Sequence, residues 1–143
     1  MTTDSGRPSL STALADGRLE GLRSLYEREV TNGASRTVRV APYVLASSVA
    51  ERRADLKLIE AYVLEKGWHL ALTNFADLGQ APPVTDRSGF NEACRYATQG
   101  FAHGLVAISR HAITTDNAVY EELLDFLHNR GVFLAFLPCR DGA

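Results

Sequence analysis

Four short apolar runs, rich in branched or aromatic residues, alternate along the chain with stretches in which apolar residues recur every three or four positions. The runs are Val38 to Ala46, His69 to Phe75, Gly104 to Ser109 and Val132 to Leu137, each the length of a buried strand. Pro42 interrupts the first run and has no N–H for a ladder, so that strand is expected only from Tyr43 to Ser47. The first helical pattern, about Ala50 to Lys66, places Leu56, Ile59 and Val63 on one face and stops at Gly67. The second, about Ser88 to Gln99, uses Phe90, Ala93, Cys94 and Ala97 and stops at Gly100. A third opens at Thr115-Asp116, whose side chains suit an N-cap. It presents Tyr120, Leu123, Leu124 and Leu127 and ends at Asn129-Arg130-Gly131. Ahead of this body, from about Ser9 or Asp16 to Val30, the residues Leu19, Leu22, Tyr26 and Val30 keep helical spacing, and Asn32-Gly33 closes that helix. Residues 1 to 8 are polar, with Gly6 and Pro8, and are expected to be disordered.

Strand alternating with helix is the pattern of a mostly parallel sheet covered on both faces. The expected architecture is therefore α/β: a three-layer sandwich around a sheet of four to five strands, with an extra N-terminal helix. The expected division is a tail and amphipathic helix over 1–36, an α/β domain over 37–138, and a short tail over 139–143. The front helix has a narrow apolar stripe, which either packs on its own domain or offers a surface to a second copy or another protein.

At 143 residues and 45% hydrophobic, the chain has material for one core. No apolar run approaches a membrane span and the start lacks a signal-peptide pattern, so a cytoplasmic protein is expected. A domain that holds duplex DNA alone is usually basic, because neutralised phosphates supply much of its affinity. This chain carries −2, which argues for weak DNA binding or none by itself, although Arg36, Arg39, Arg52 and Arg53 cluster in sequence. Cys94 and Cys139 have no metal or disulfide spacing and read as two reduced thiols. His69, His103, His111 and His128 show no ligand spacing; neither a metal site nor a cofactor is expected.

In parallel α/β folds, ligands meet the loops at the carboxyl ends of the strands. Those loops hold Ser47-Ser48, Asp77-Leu78-Gly79 and Ser109-Arg110-His111, with Thr85-Asp86-Arg87 on the long connection after the second strand. Hydroxyls and arginines at one rim suit a phosphate-like anion, although ordinary solvated loops have the same composition. The glycine patterns of dinucleotide and P-loop sites are absent, as is the G-x-S-x-G of esterases.

These rim residues carry a resemblance to the catalytic domain of serine recombinases, the resolvases and invertases. The family's opening strand, Y-x-R-x-S-[ST], is met by Tyr43-Val44-Leu45-Ala46-Ser47-Ser48. A helix, then G-W and F-x-D, are met by Gly67-Trp68 and Phe75-Ala76-Asp77; D-R-x-G-[FL] is met by Asp86-Arg87-Ser88-Gly89-Phe90. The G-x-L-V-V strand leading to L-D-R-L-x-R corresponds to Gly104 through Arg110, and a closing G-V strand to Gly131-Val132-Phe133-Leu134. The resemblance implies a serine that attacks a DNA phosphodiester, with arginines that neutralise the charge growing on the phosphorus oxygens. Ser47 takes the nucleophile's place, Arg87 and Arg110 take the places of two active-site arginines, and Asp77 matches an acid near the site. Ser47, Ser48, Asp77, Arg87 and Arg110 are thus the candidate anion-binding set.

The sequence also departs from that pattern. The arginine two residues before the nucleophile is Leu45, the aspartate of L-D-R is Ser109, and His111-Ala112-Ile113-Thr114 supplies no second arginine. The glutamine at the start of the family's first helix is matched to Asp55. Losing one preorganised charge-stabilising group costs on the order of 10²- to 10³-fold in rate. Family members also continue into a long dimerising helix and a DNA-binding domain, neither of which is expected after Pro138. The expectation is an inactive recombinase-like domain, regulatory or accessory, that acts by binding itself or another protein. The alternative is serine-dependent DNA strand transfer or phosphoester hydrolysis through Ser47; a small-molecule sensor using the strand-end cleft is a third.

Overall fold

The computed structural model describes residues 10–33 and 37–138. The polar head, Arg36 and the tail with Cys139 lie outside the described residues. In chain order the elements are α1 (Leu10–Gly33), β1 (Arg39–Ala46), α2 (Val49–Lys66), β2 (His69–Leu70), β3 (Phe75–Leu78), α3 (Ser88–Tyr96), β4 (Gly104–Ala107), α4 (Asn117–His128) and β5 (Phe133–Phe136). Short 3₁₀ turns occupy Val84–Asp86 and Arg110–Ala112. The expected α/β sandwich with its extra front helix is borne out.

β1 pairs in parallel with β4 on one side and with both β2 and β3 on the other; β4 pairs in parallel with β5. The chain thus builds outward from β1 in one direction and then crosses back to build in the other. The switch point lies between β1 and β4, where crevices form at strand carboxyl ends. Alternation along the strands sends side chains to the two faces. Ala41, Tyr43, Leu105, Ala107 and Leu134 join Leu19 of α1, Phe90 and Ala93 of α3, and Tyr120, Leu124 and Leu127 of α4. Val40, Val44, Val106, Phe133 and Ala135 meet Ile59 and Val63 of α2 on the opposite face.

Three boundaries differ from the sequence expectation. β1 starts at Arg39 and runs through Pro42, in register with Val106, instead of starting at Tyr43. The carbonyls of Val38 and Val40 accept from His69 and Ala71, whereas that of Arg39 accepts from His103, so even-numbered positions face the β2–β3 edge. On that edge β2 pairs no further than Val40 and β3 begins at Tyr43, so Pro42 falls in the gap, where no donor is missed. The run from His69 to Phe75 is accordingly two short strands rather than one, with Leu72 fully exposed between them. The second helical pattern ends at Tyr96, not Gln99. It passes into a wide turn over Ala97–Phe101, in which Gly100 takes φ +100.

The ends of α2 and α4 follow their sequence signals. Ser48 caps α2 by accepting from the Glu51 N–H, and Gly67 closes it in the left-handed region. Asp116 caps α4 by accepting from the Val119 N–H. α1 extends from Leu10 to Gly33 and lies against β5 and α4. Its stripe is engaged within the chain: Leu19 is 0% exposed, and Leu22, Tyr26 and Val30 are partly buried. Arg23 donates to the Leu134 carbonyl, Tyr26 to Asp125, and Arg18 pairs with Glu121.

Candidate active site

Ser47 leaves the carboxyl end of β1 just before α2, which leaves it exposed. Its Oγ donates to Glu51 Oε1 at 2.9 Å, and its backbone N–H donates to the same oxygen. Glu51 lies four residues on, one helical turn away, while Ser48 accepts from the Glu51 N–H at 3.1 Å. The pattern Ser48-x-x-Glu51 is a capping box whose carboxylate reaches back one residue further, to Ser47. The backbone N–H of Ser47, followed by its hydroxyl, holds the Glu51 carboxyl below the ordinary glutamate range. The residue facing the serine is therefore an ionised carboxylate.

Asp77 stands beside Leu45 in the β1–β3 register. One oxygen accepts from the Tyr43 hydroxyl at 2.7 Å and from Phe90 N–H at 3.0 Å; the other accepts from Gly89 N–H at 3.0 Å. Asp77 thus satisfies two of the free donors at the start of α3. Gly89 is required by the close approach: a Cβ there would lie 2.2 Å from the Ala76 carbonyl oxygen. Burial first, then the hydrogen bond to Asp77, hold the Tyr43 hydroxyl well above the ordinary tyrosine range. The positive charge of Arg87 acts the other way.

The two arginines direct their donors into the fold. Arg87 donates from Nε to the Pro82 carbonyl at 2.7 Å and from Nη1 to the Ala112 carbonyl at 2.9 Å, tying the two loops that flank the strand ends. Arg110 donates to the Thr114 carbonyl at 3.0 Å and to Asn117 Oδ1, and stacks 4.1 Å from the Tyr120 ring centroid. Asp16 of α1 lies 3.5 Å from its third nitrogen. Of the candidate set, Asp77 and Arg87 meet around Tyr43, while Ser47 and Ser48 bond within their own turn and to Glu51. Among the described residues no hydrogen bond joins Ser47 to Arg87 or Arg110.

Glu51 and Asp16 are missing from the sequence-derived set, although both touch members of it. Glu51 was legible, since a serine followed three residues later by glutamate marks a helix start; Asp16 reaches Arg110 only because α1 docks on α4. Asp55, matched to the family glutamine, has its carboxyl raised by partial burial and then by the Glu51 charge. Of the sequence's arginine cluster, Arg52 donates to Asn74 and the Arg39 backbone N–H to His103. Among the described residues no group of three or more His, Cys, Asp or Glu side chains is arranged to hold a metal ion.

Solved structures share this fold. The C-terminal catalytic domain of ISC1926 TnpA, an IS607-like serine recombinase, superposes with a TM-score of 0.60 at 14% identity, over 72% of each chain. The fold is that of a serine recombinase catalytic domain. The N-terminal catalytic domain of TP901-1 integrase also gives 0.60 at 14% identity, over 69% of this chain and 76% of that one. The first open reading frame of transposon ISC1904 from Sulfolobus solfataricus P2 gives 0.54 at 18% identity, over 73% and 70%. No protein-family model and no curated protein matches the sequence. The recombinase-like fold is thus conveyed by three-dimensional similarity, in agreement with the motif order read from the sequence. No helix of the described residues is long and apolar enough to cross a membrane.

Proposed function

We propose that this chain keeps the recombinase fold without the strand-transfer chemistry, and acts as an accessory or regulatory domain by binding a second copy of itself or another protein. The observation that carries the reading is the state of the site. Ser47 faces the Glu51 carboxylate, while the hydrogen bonds of Arg87 and Arg110 go to carbonyls and Asn117, with Asp16 beside Arg110, and none goes to Ser47. A phosphodiester at Ser47 would meet a negative charge where the reaction needs positive ones. Leu45, half-buried beside Asp77, adds no donor. Support for a protein partner comes from α1, whose outward side leaves Leu10, Leu14 and Leu25 76%, 66% and 40% exposed. DNA is held weakly or not at all, in line with the net charge of −2.

The deciding experiment incubates the full chain with supercoiled and suicide DNA substrates at low salt and looks for a covalent protein–DNA adduct. None is expected; an adduct that disappears in Ser47→Ala would overturn the reading. A second reading, hydrolysis of a small phosphate ester by Ser47, takes the same Ser47–Glu51 hydrogen bond as a nucleophile and its base, but has to overcome the same carboxylate charge with a base weaker than an ordinary glutamate. It requires an esterase activity lost in both Ser47→Ala and Glu51→Gln.

A further inference from the structure

A cleft of about 470 Å³ opens between α3 and α4, away from Ser47. Both helices cover the same face of the sheet, yet they flank the cleft without packing closely on each other. Its walls are apolar: Phe90 and Cys94 from α3 face Val119, Leu123 and Phe126 from α4. Burial pushes the Cys94 thiol up to about 12, so it is a neutral wall group. The volume falls within the roughly 300–1,000 Å³ of small-molecule pockets.

Polarity is confined to the rim and is uneven along it. Each helix runs back against the strand before it, so Asn91 and Val119 lie toward the strand carboxyl ends, and Arg95, Thr98 and Phe126 toward the other end. At that second end the Arg95 side chain is exposed and its guanidinium makes no hydrogen bond or ion pair with another described residue, while its backbone carbonyl accepts from the Thr98 hydroxyl. Arg130 lies 3.9 Å from the Phe126 ring centroid there, adding a second positive charge. Glu122, the rim's carboxylate, sits one turn back along α4. From this distribution we infer that the α3–α4 cleft is a binding site for a small aromatic or aliphatic acid, its apolar body between Cys94 and Leu123 and its anionic group on Arg95. The inference stands apart from the chemistry at Ser47, and its test uses no DNA.

The probes are anilinonaphthalene sulfonate, an aromatic body with one anionic group, and the uncharged phenylnaphthylamine of similar shape, each titrated into the full chain by fluorescence. Saturable binding of the sulfonate at one site per chain is expected, abolished by Leu123→Trp, which fills the cleft. Arg95→Gln should weaken the sulfonate about tenfold and leave the neutral probe within twofold. Val119→Trp replaces Leu123→Trp if the latter melts early. No saturable binding, binding that persists in a folded cleft-filled variant, or equal losses for both probes in Arg95→Gln would each overturn the assignment.

Discussion

Replacing Asp77 tests whether this residue holds the site together as a structural anchor. All three of its partners are donors: the Tyr43 hydroxyl and the N–H groups of Gly89 and Phe90. Asp77→Ala leaves a buried phenol hydroxyl and two helix-start donors without their acceptor. A lost helix cap costs about 0.5–2 kcal/mol and an unsatisfied buried polar group about 1–3 kcal/mol, so a loss of about 3 kcal/mol is expected. Unfolding entropy near 2.1 cal/mol/K per residue gives about 0.3 kcal/mol/K for a chain of this length, so Tm should fall by about 10 °C. Asp77→Asn keeps one acceptor oxygen but turns an NH₂ toward at least one of the donors, and should cost about half as much. Tyr43→Phe removes only the phenol contact and should cost less than Asp77→Ala, and the double variant should fall short of the sum of the two. Urea unfolding of the four proteins, compared at unchanged m-value, measures this. An Asp77→Asn protein as stable as the parent, or strict additivity with Tyr43→Phe, would refute the anchoring role.

Three further outcomes follow from the packing and charges. Leu19→Ala should destabilise by about 2–5 kcal/mol, since it empties a fully buried site under α1, while Leu14→Ala, on the exposed side, should change stability by less than about 0.5 kcal/mol; calorimetry of both checks that α1 docks in cis. Among the described residues the buried Tyr120 hydroxyl has no hydrogen-bond partner, so Tyr120→Phe should leave Tm unchanged or raise it, and a clear fall would reveal a partner. Glu51 has a lowered folded-state pKa, so its contact with Ser47 is fully present at neutral pH and is lost as pH falls through that lowered value. An NMR titration should place its midpoint below that of an ordinary glutamate, and Ser47→Ala should restore only part of the difference, because the backbone N–H is the larger cause.

The sequence alone determined the alternation of strands and helices, the cap at Asp116, the glycine stop at Gly67, and the order of motifs that resembles serine recombinases. These are local signals: period, cap chemistry and turn residues act within a few positions of one another. The length of β1 was not local. Pro42 is tolerated inside it because β2 ends and β3 begins on the edge that its nitrogen faces, and only strand pairing reveals that gap. The apolar stripe of α1 was legible, but not what it covers; β5 and α4, more than 80 positions away, receive it. The candidate site divides in the same way. Ser47, Asp77, Arg87 and Arg110 could be named from their motifs, and Pro82 and Thr114 lie near their arginines in sequence, yet the tie from Arg87 to the Ala112 carbonyl and the approach of Asp16 to Arg110 depend on a different loop and on a helix far away in sequence. A side chain's identity is written at its own position, whereas its hydrogen-bond partners are chosen by which backbones the fold brings within 3 Å.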